Sequence, residues 1–189
     1  MLFTLNYFQG DLAARNVLLT HDSIAKVADF GLCTRIYDDT SEKKEARPGM
    51  FPFRWAAYEV LLTEIPFKEL SDVWSFGVLM WEVFHLGSVA PYYNLFGKQK
   101  IIEFLLNGHR LSKPELCPQY VYGIMLECWQ ERHLIRPTFL KLKSKLETFF
   151  FYCNFNSKEV RYSGTPHVSN SERDLQYCSN QSTNESNLS

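Results

Sequence analysis

The spacing of apolar and polar positions changes character along the chain. Val17-Leu18-Leu19-Thr20 and Ala25-Lys26-Val27-Ala28 are short apolar segments around the turn residues His21-Asp22-Ser23, which predicts a small hairpin or strand pair. Residues 32–54 are polar and rich in turn formers, and read as one long loop. Loops of that length inside a compact domain are usually functional or mobile. From Trp55 onward helical signals dominate. Ser71-Asp72 reads as an N-terminal cap before residues 73–84, a run that is apolar on nearly every face and interrupted by Glu82. A helix of that kind sits buried at the centre of a domain. Further helices are expected over about 98–106, 120–130 and 138–150, the last with Pro137 at its first turn. The expected fold is predominantly α-helical with minor β.

Composition divides the chain. Residues 1–152 are apolar-rich and punctuated by Gly and Pro, as a packed domain should be. Residues 153–189 read as a disordered tail, since the 36 residues from Asn154 hold eight Ser and six Asn with few large aliphatic side chains. With 20 basic and 21 acidic side chains the net charge is −1, which leaves no electrostatic footprint for nucleic acid or an anionic membrane. No apolar stretch approaches the roughly 18 residues of a transmembrane helix. The first residues lack the charged start and cleavage site of a signal peptide. Five scattered cysteines form no C-x-x-C, so reduced thiols in a cytoplasmic setting are expected.

Candidate chemistry lies early. Asp11-Leu12-Ala13-Ala14-Arg15-Asn16 sets a carboxylate and a carboxamide five residues apart on one loop, and Asp29-Phe30-Gly31 follows eighteen residues after Asp11. Ala57-Tyr58-Glu59, Ser71-Asp72-Val73-Trp74-Ser75-Phe76-Gly77, and Cys128-Trp129 with Arg136-Pro137-Thr138-Phe139 come later, in order. This series resembles the catalytic loop, metal loop, activation-segment end, F helix and C-terminal signature of protein kinases. The resemblance covers about residues 8–148. Ala13-Ala14-Arg15 and the platform Phe51-Pro52-Phe53-Arg54-Trp55 resemble the tyrosine-kinase form, and the order Ala-Ala-Arg is more typical of receptor-type members.

The resemblance implies a kinase C-lobe with ATP and magnesium as cofactors and protein tyrosine as substrate. It implies that Asp11 orients the tyrosine hydroxyl and accepts its proton, with Arg15 bonded to Asp11 near the transferred phosphoryl group. Asp29 and Asn16 would hold magnesium, Pro52 and Trp55 would form the peptide platform, and Glu59 and Arg136 would make a buried ion pair. Asp72, a plain cap by sequence, would by resemblance receive backbone N–H groups of the catalytic loop. Trp74, Trp81 and Trp129 are expected in the core. Receptor lineage places the whole protein at a membrane, with this part on the cytoplasmic side.

Several positions depart from the pattern. Gln9-Gly10 stand where the family carries His-Arg, and Ser41 and Glu42 where many receptor kinases carry the tyrosine that the arginine answers. The common phospho-switch is therefore expected to be absent. Tyr37 is a candidate phosphosite or, equally, a solvated loop tyrosine. Tyr58 and His133 replace two prolines. No G-x-G-x-x-G and no V-A-I-K-like lysine precede Asp11, so the N-lobe is read as missing and the isolated chain as inactive. Loss of the E helix is expected to expose an apolar patch around Val73, Phe76 and Met80. The alternative function is a non-catalytic, pseudokinase-like binding module, scaffold or decoy. Tail tyrosines Tyr162 and Tyr177 could then meet phosphotyrosine-reading partners, although their flanks match no strong docking pattern. The tail sequons at Asn180, Asn184 and Asn187 would be inert in the cytoplasm.

Overall fold

The computed structural model describes residues 7–35, 51–63 and 69–162. β2 (Val17–Leu19) pairs antiparallel with β3 (Ala25–Val27), Val17 opposite Val27 and Leu19 opposite Ala25. Thr20 closes the turn: its hydroxyl oxygen accepts the Ile24 N–H at 3.0 Å. This is the hairpin that the two apolar segments predict.

A second ladder joins β1 (Tyr7–Phe8) to β4 (Thr34–Arg35), with Phe8 opposite Thr34. The start of the expected long loop is therefore strand. Two residues a side are too few for a period of two to register in sequence. Residues 36–50 of that loop, Tyr37, Ser41 and Glu42 among them, lie outside the described residues.

Among the described residues five α-helices follow: α1 (Tyr58–Thr63), α2 (Glu69–Phe84), α3 (Lys98–Leu106), α4 (Gln119–Cys128) and α5 (Phe139–Tyr162). Val73, Trp74, Val78 and Trp81 of α2 are buried, as are Val121, Ile124, Met125 and Cys128 of α4, and the two helices pack together. Gly77 permits that approach. A Cβ there would lie 2.6 Å from Trp129 Nε1 and 2.9 Å from Cys128 Cβ, closer than carbon contacts allow. Trp74, Trp81 and Trp129 all belong to this core.

Three sequence expectations change. α2 begins at Glu69, so Ser71 and Asp72 lie inside its first turn and do not cap it. The predicted patch is not exposed either. Val73 is 0% and Met80 8% exposed, and Phe76 meets Phe139 edge-on at 5.7 Å between ring centroids. α4, β1 and the 14–16 turn cover α2. Exposed apolar side chains are found on the hairpin, Leu18 at 59% and Leu19 at 72%, and also on the helical body, among them Leu86, Phe96, Leu134 and Leu140.

The last change concerns the tail. α5 continues ten residues past 152, although residues 153–162 are polar, because that stretch contains no Pro or Gly to stop it. Residues 163–189 lie outside the described residues. Pro137 falls just before α5, and Thr138 caps it, its hydroxyl accepting the Lys141 N–H at 3.3 Å. Among the described residues no helix is long and apolar enough to cross a membrane.

Candidate active site

Asp11 sits at the entrance to a single 3-10 turn, Ala14–Asn16, which brings the side chains of positions 11, 15 and 16 together. Asn16 is buried, and its Nδ2 donates to Asp11 Oδ2 at 2.9 Å and to the Asp11 carbonyl at 2.8 Å. The Arg15 guanidinium donates to Asp11 Oδ1 and lies 4.2 Å over the Trp55 ring. Burial pushes the Asp11 carboxyl above its ordinary value. Arg15 and the Asn16 hydrogen bond pull it down, and the charge of Asp29 adds to the rise.

Asp29 follows β3 with φ 54°, a left-handed conformation uncommon outside glycine. Its Oδ1 accepts the Gly31 N–H at 3.1 Å, and the side chain is exposed. Both hydrogen bonds of the Asn16 carboxamide come from its nitrogen, so its oxygen is the end that remains for a cation. Asn16 Oδ1 and the Asp29 carboxylate make a sparse set of hard oxygens, which suits magnesium completed by waters and phosphates rather than a closed cage. Among the described residues no cluster of three His, Cys, Asp or Glu ligands exists.

Two carboxylates on α2 hang the loops on the helical body. Asp72, fully buried, accepts the Gln9 N–H at 2.6 Å and the Gly10 N–H at 3.0 Å. One oxygen of Glu82 accepts both the Ala14 N–H and the Trp55 indole N–H, each at 2.9 Å. The platform and the catalytic loop thus share one acceptor. Pro52, buried, accepts the Trp55 N–H at 2.9 Å in a tight turn. Arg54 fastens the platform to the 91–95 loop through the carbonyls of Pro91 and Tyr92, both at 2.7 Å.

Farther out, Arg136 grips Glu59 with two bonds of 2.8 and 2.7 Å, and also donates to the carbonyls of Leu70 and Gln130. Its guanidinium lies 5.0 Å from the Trp74 ring centre. Asp11, Arg15, Asn16, Pro52, Trp55 and Asp72 therefore form one connected site with Asp29. Glu59 and Arg136 brace the base of α1 against α2.

Sequence reasoning passed over two residues of this site. Glu82 was a mere break in an apolar run, yet a lone carboxylate on a buried helix signals an internal acceptor. Gln9 counted only as a departure, whereas its side chain spans the two acidic loops: Nε2 donates to the Asp29 carbonyl at 2.9 Å and Oε1 accepts the Asp11 N–H at 2.7 Å. Gly10 beside it has φ 78°, and a Cβ there would stand 3.0 Å from the Leu32 carbonyl oxygen.

A helical body whose central helix holds an aspartate–asparagine loop, with a second acidic loop joined to the first through Gln9, defines a protein kinase C-lobe. The chain belongs to the protein tyrosine and serine/threonine kinase family, whose sequence model matches residues 2–146. It is 44% identical over 146 residues to the human tyrosine-protein kinase FRK, covering 77% of this chain and 28% of FRK. It is 43% identical over 137 residues to the tyrosine-protein kinase Shark of Drosophila melanogaster, covering 72% of this chain and 14% of Shark. The transmembrane receptor tyrosine-protein kinase Ror of the same fly is 40% identical over 144 residues, 76% of this chain and 20% of Ror. The chain thus spans between 14% and 28% of these relatives' lengths.

Proposed function

We propose that this chain supplies the catalytic and metal loops of a protein tyrosine kinase of receptor lineage, which transfers the γ-phosphoryl group of ATP to a tyrosine hydroxyl on a protein. The observation that carries the reading is Asp11, aimed by Asn16 and Arg15 and linked through Gln9 to Asp29. Asp11 orients the phenol and takes its proton late in the transfer. Burial serves this role, since a carboxyl raised from its ordinary value is a better base toward a phenol. Arg15 balances charge beside it and, through its contact with Trp55, ties the acceptor's position to the peptide platform. Asn16 and Asp29 would hold magnesium, which neutralises phosphate charge when bound. The 189 residues include no glycine-rich loop and no strand lysine, so nucleotide placement needs a segment outside them.

The test is magnesium-dependent phosphotransfer to a tyrosine peptide. It is measured on the chain alone and on the chain joined to the N-terminal half of the FRK catalytic domain. The joined protein should phosphorylate the peptide, and Asp11→Asn should remove about 99% or more of the rate, since general-base and positioning effects each reach 10²-fold. An Asp11→Asn rate equal to wild type overturns the kinase reading. A second reading, a non-catalytic binding module, draws on a platform already assembled through Trp55 and Glu82. It requires peptide binding without any magnesium–ATP thermal shift in either protein.

A further inference from the structure

We propose that Gln9 is a positioning residue, a two-ended strut that sets Asp11 against Asp29 and takes over the linking of the two loops. The proposal rests on the kinase reading above for its consequence in catalysis, but not for its geometry. Gln9 is almost fully buried, so its carboxamide must find partners inside the protein. It finds them on two different loops: the Ala28 and Asp29 carbonyls, nineteen and twenty residues along the chain from Gln9, and the Asp11 N–H, two residues along. The Asp29 carbonyl takes the nitrogen end at 2.9 Å and the Asp11 N–H meets the oxygen end at 2.7 Å. The main chain beneath the strut is itself fixed, because Asp72 receives the N–H groups of Gln9 and Gly10.

Only one orientation of the amide works. Turning it over would set its N–H₂ against the Asp11 N–H and its oxygen against the Asp29 carbonyl. The strut therefore transmits position in both directions: a shift of the Asp29 backbone pulls on the Asp11 amide. Neither contact involves a charged group or a phosphate, so the link is present without modification of the loop. A structural filler would act differently. Any residue of the same volume would preserve the burial of Gln9, but only a donor–acceptor pair at this spacing holds both loops.

Substitutions separate these roles. Gln9→Leu keeps the volume and removes both bonds. Gln9→Glu keeps the acceptor for Asp11 and sets a carboxylate oxygen against the Asp29 carbonyl. Gln9→His restores a donor toward Asp29. Amide hydrogen exchange of the full 189-residue chain reads the strut directly. Gln9→Leu should speed exchange at Asp11 by about tenfold or more, the factor for losing one net hydrogen bond, while the Gly10 amide on Asp72 stays protected. Unchanged Asp11 protection in folded Gln9→Leu overturns the proposal.

The second readout is kinetic, in the joined protein of the previous section. Gln9→Leu should lower kcat by about tenfold or more with peptide KM within about threefold, and Gln9→His should recover part of the loss. If Gln9→Leu gives no cooperative melt, Gln9→Glu decides alone: kcat must fall while the Asp11 amide stays protected, and an unchanged kcat overturns the proposal. Asp11→Asn distinguishes the two levels. Full activity in that variant defeats the kinase reading, whereas loss there with wild-type kcat in Gln9→Leu defeats only the strut.

Discussion

The α2–α4 core and the 17–27 hairpin are attached to the same body but held in opposite ways. In the core, Trp74, Val78, Ile124 and Met125 exclude water almost completely, and position follows from shape. The hairpin offers Leu18, Leu19 and Ile24 to solvent and contributes little apolar burial. It is placed instead by polar threads: the Ala28 N–H to the Asn16 carbonyl at 2.7 Å, and Gln9 to the Asp29 carbonyl. Packing thus fixes the platform for the chemistry, and hydrogen bonds fix the chemistry itself. A region held by few directional bonds can be shifted by losing one of them. A packed region yields only to a cavity or a stranded charge.

Arg136→Ala should break the packed side most. It strands Glu59 and removes a guanidinium with 0% side-chain exposure. The expected cost is about 3 kcal/mol, at the low end for a broken buried pair because Glu59 retains some solvent contact. Urea unfolding measures it; a loss below about 1 kcal/mol would mean that the core does not depend on this brace. Asp72→Asn should cost less, about 2 kcal/mol, since one of two charge-assisted acceptors is lost. Its effect should also be uneven. Exchange at the Gln9 and Gly10 amides should quicken while α4 amides keep their protection. Uniform deprotection would show that core and loops unfold as a unit.

Asp11→Asn probes the threads with a sign. Because burial raises the Asp11 carboxyl, the folded chain keeps that proton to higher pH than the unfolded chain does. Stability from this group is therefore greatest in acid, and falls as pH rises from the unfolded carboxyl value through the folded one. The variant should be more stable relative to wild type at pH 7 than at pH 4, in thermal melts at both. An equal difference at the two pH values contradicts the assignment. The smallest effect belongs to Leu19→Ser. An exposed hairpin side chain should change stability by no more than about 0.5 kcal/mol. Binding of a hydrophobic dye should fall, and a larger stability loss would mean the hairpin is packed after all.

The same contrast explains what sequence could reveal. Residues 98–106 carry a helical period and form α3 over those residues. Val17 and Ala25 stand in short apolar segments and become a hairpin. Asp11, Asn16, Asp29 and Trp55 were legible because their spacing is a motif. Burial of Val73 and Met80 depends on β1 and the 14–16 turn, which cover α2 from far along the chain and leave no mark in the local pattern. Asp72 and Glu82 could be seen as charges in an apolar helix, but what they accept lies 27 to 68 residues away, where local pattern carries no information.

Gly10 has a consequence for how this chain can change over time. A side chain there must enter a left-handed backbone with the Leu32 carbonyl 3.0 Å from its first carbon. Any side chain at position 10 therefore meets strain at once, so the backbone that presents the Gln9 and Gly10 N–H groups to Asp72 is reserved for glycine.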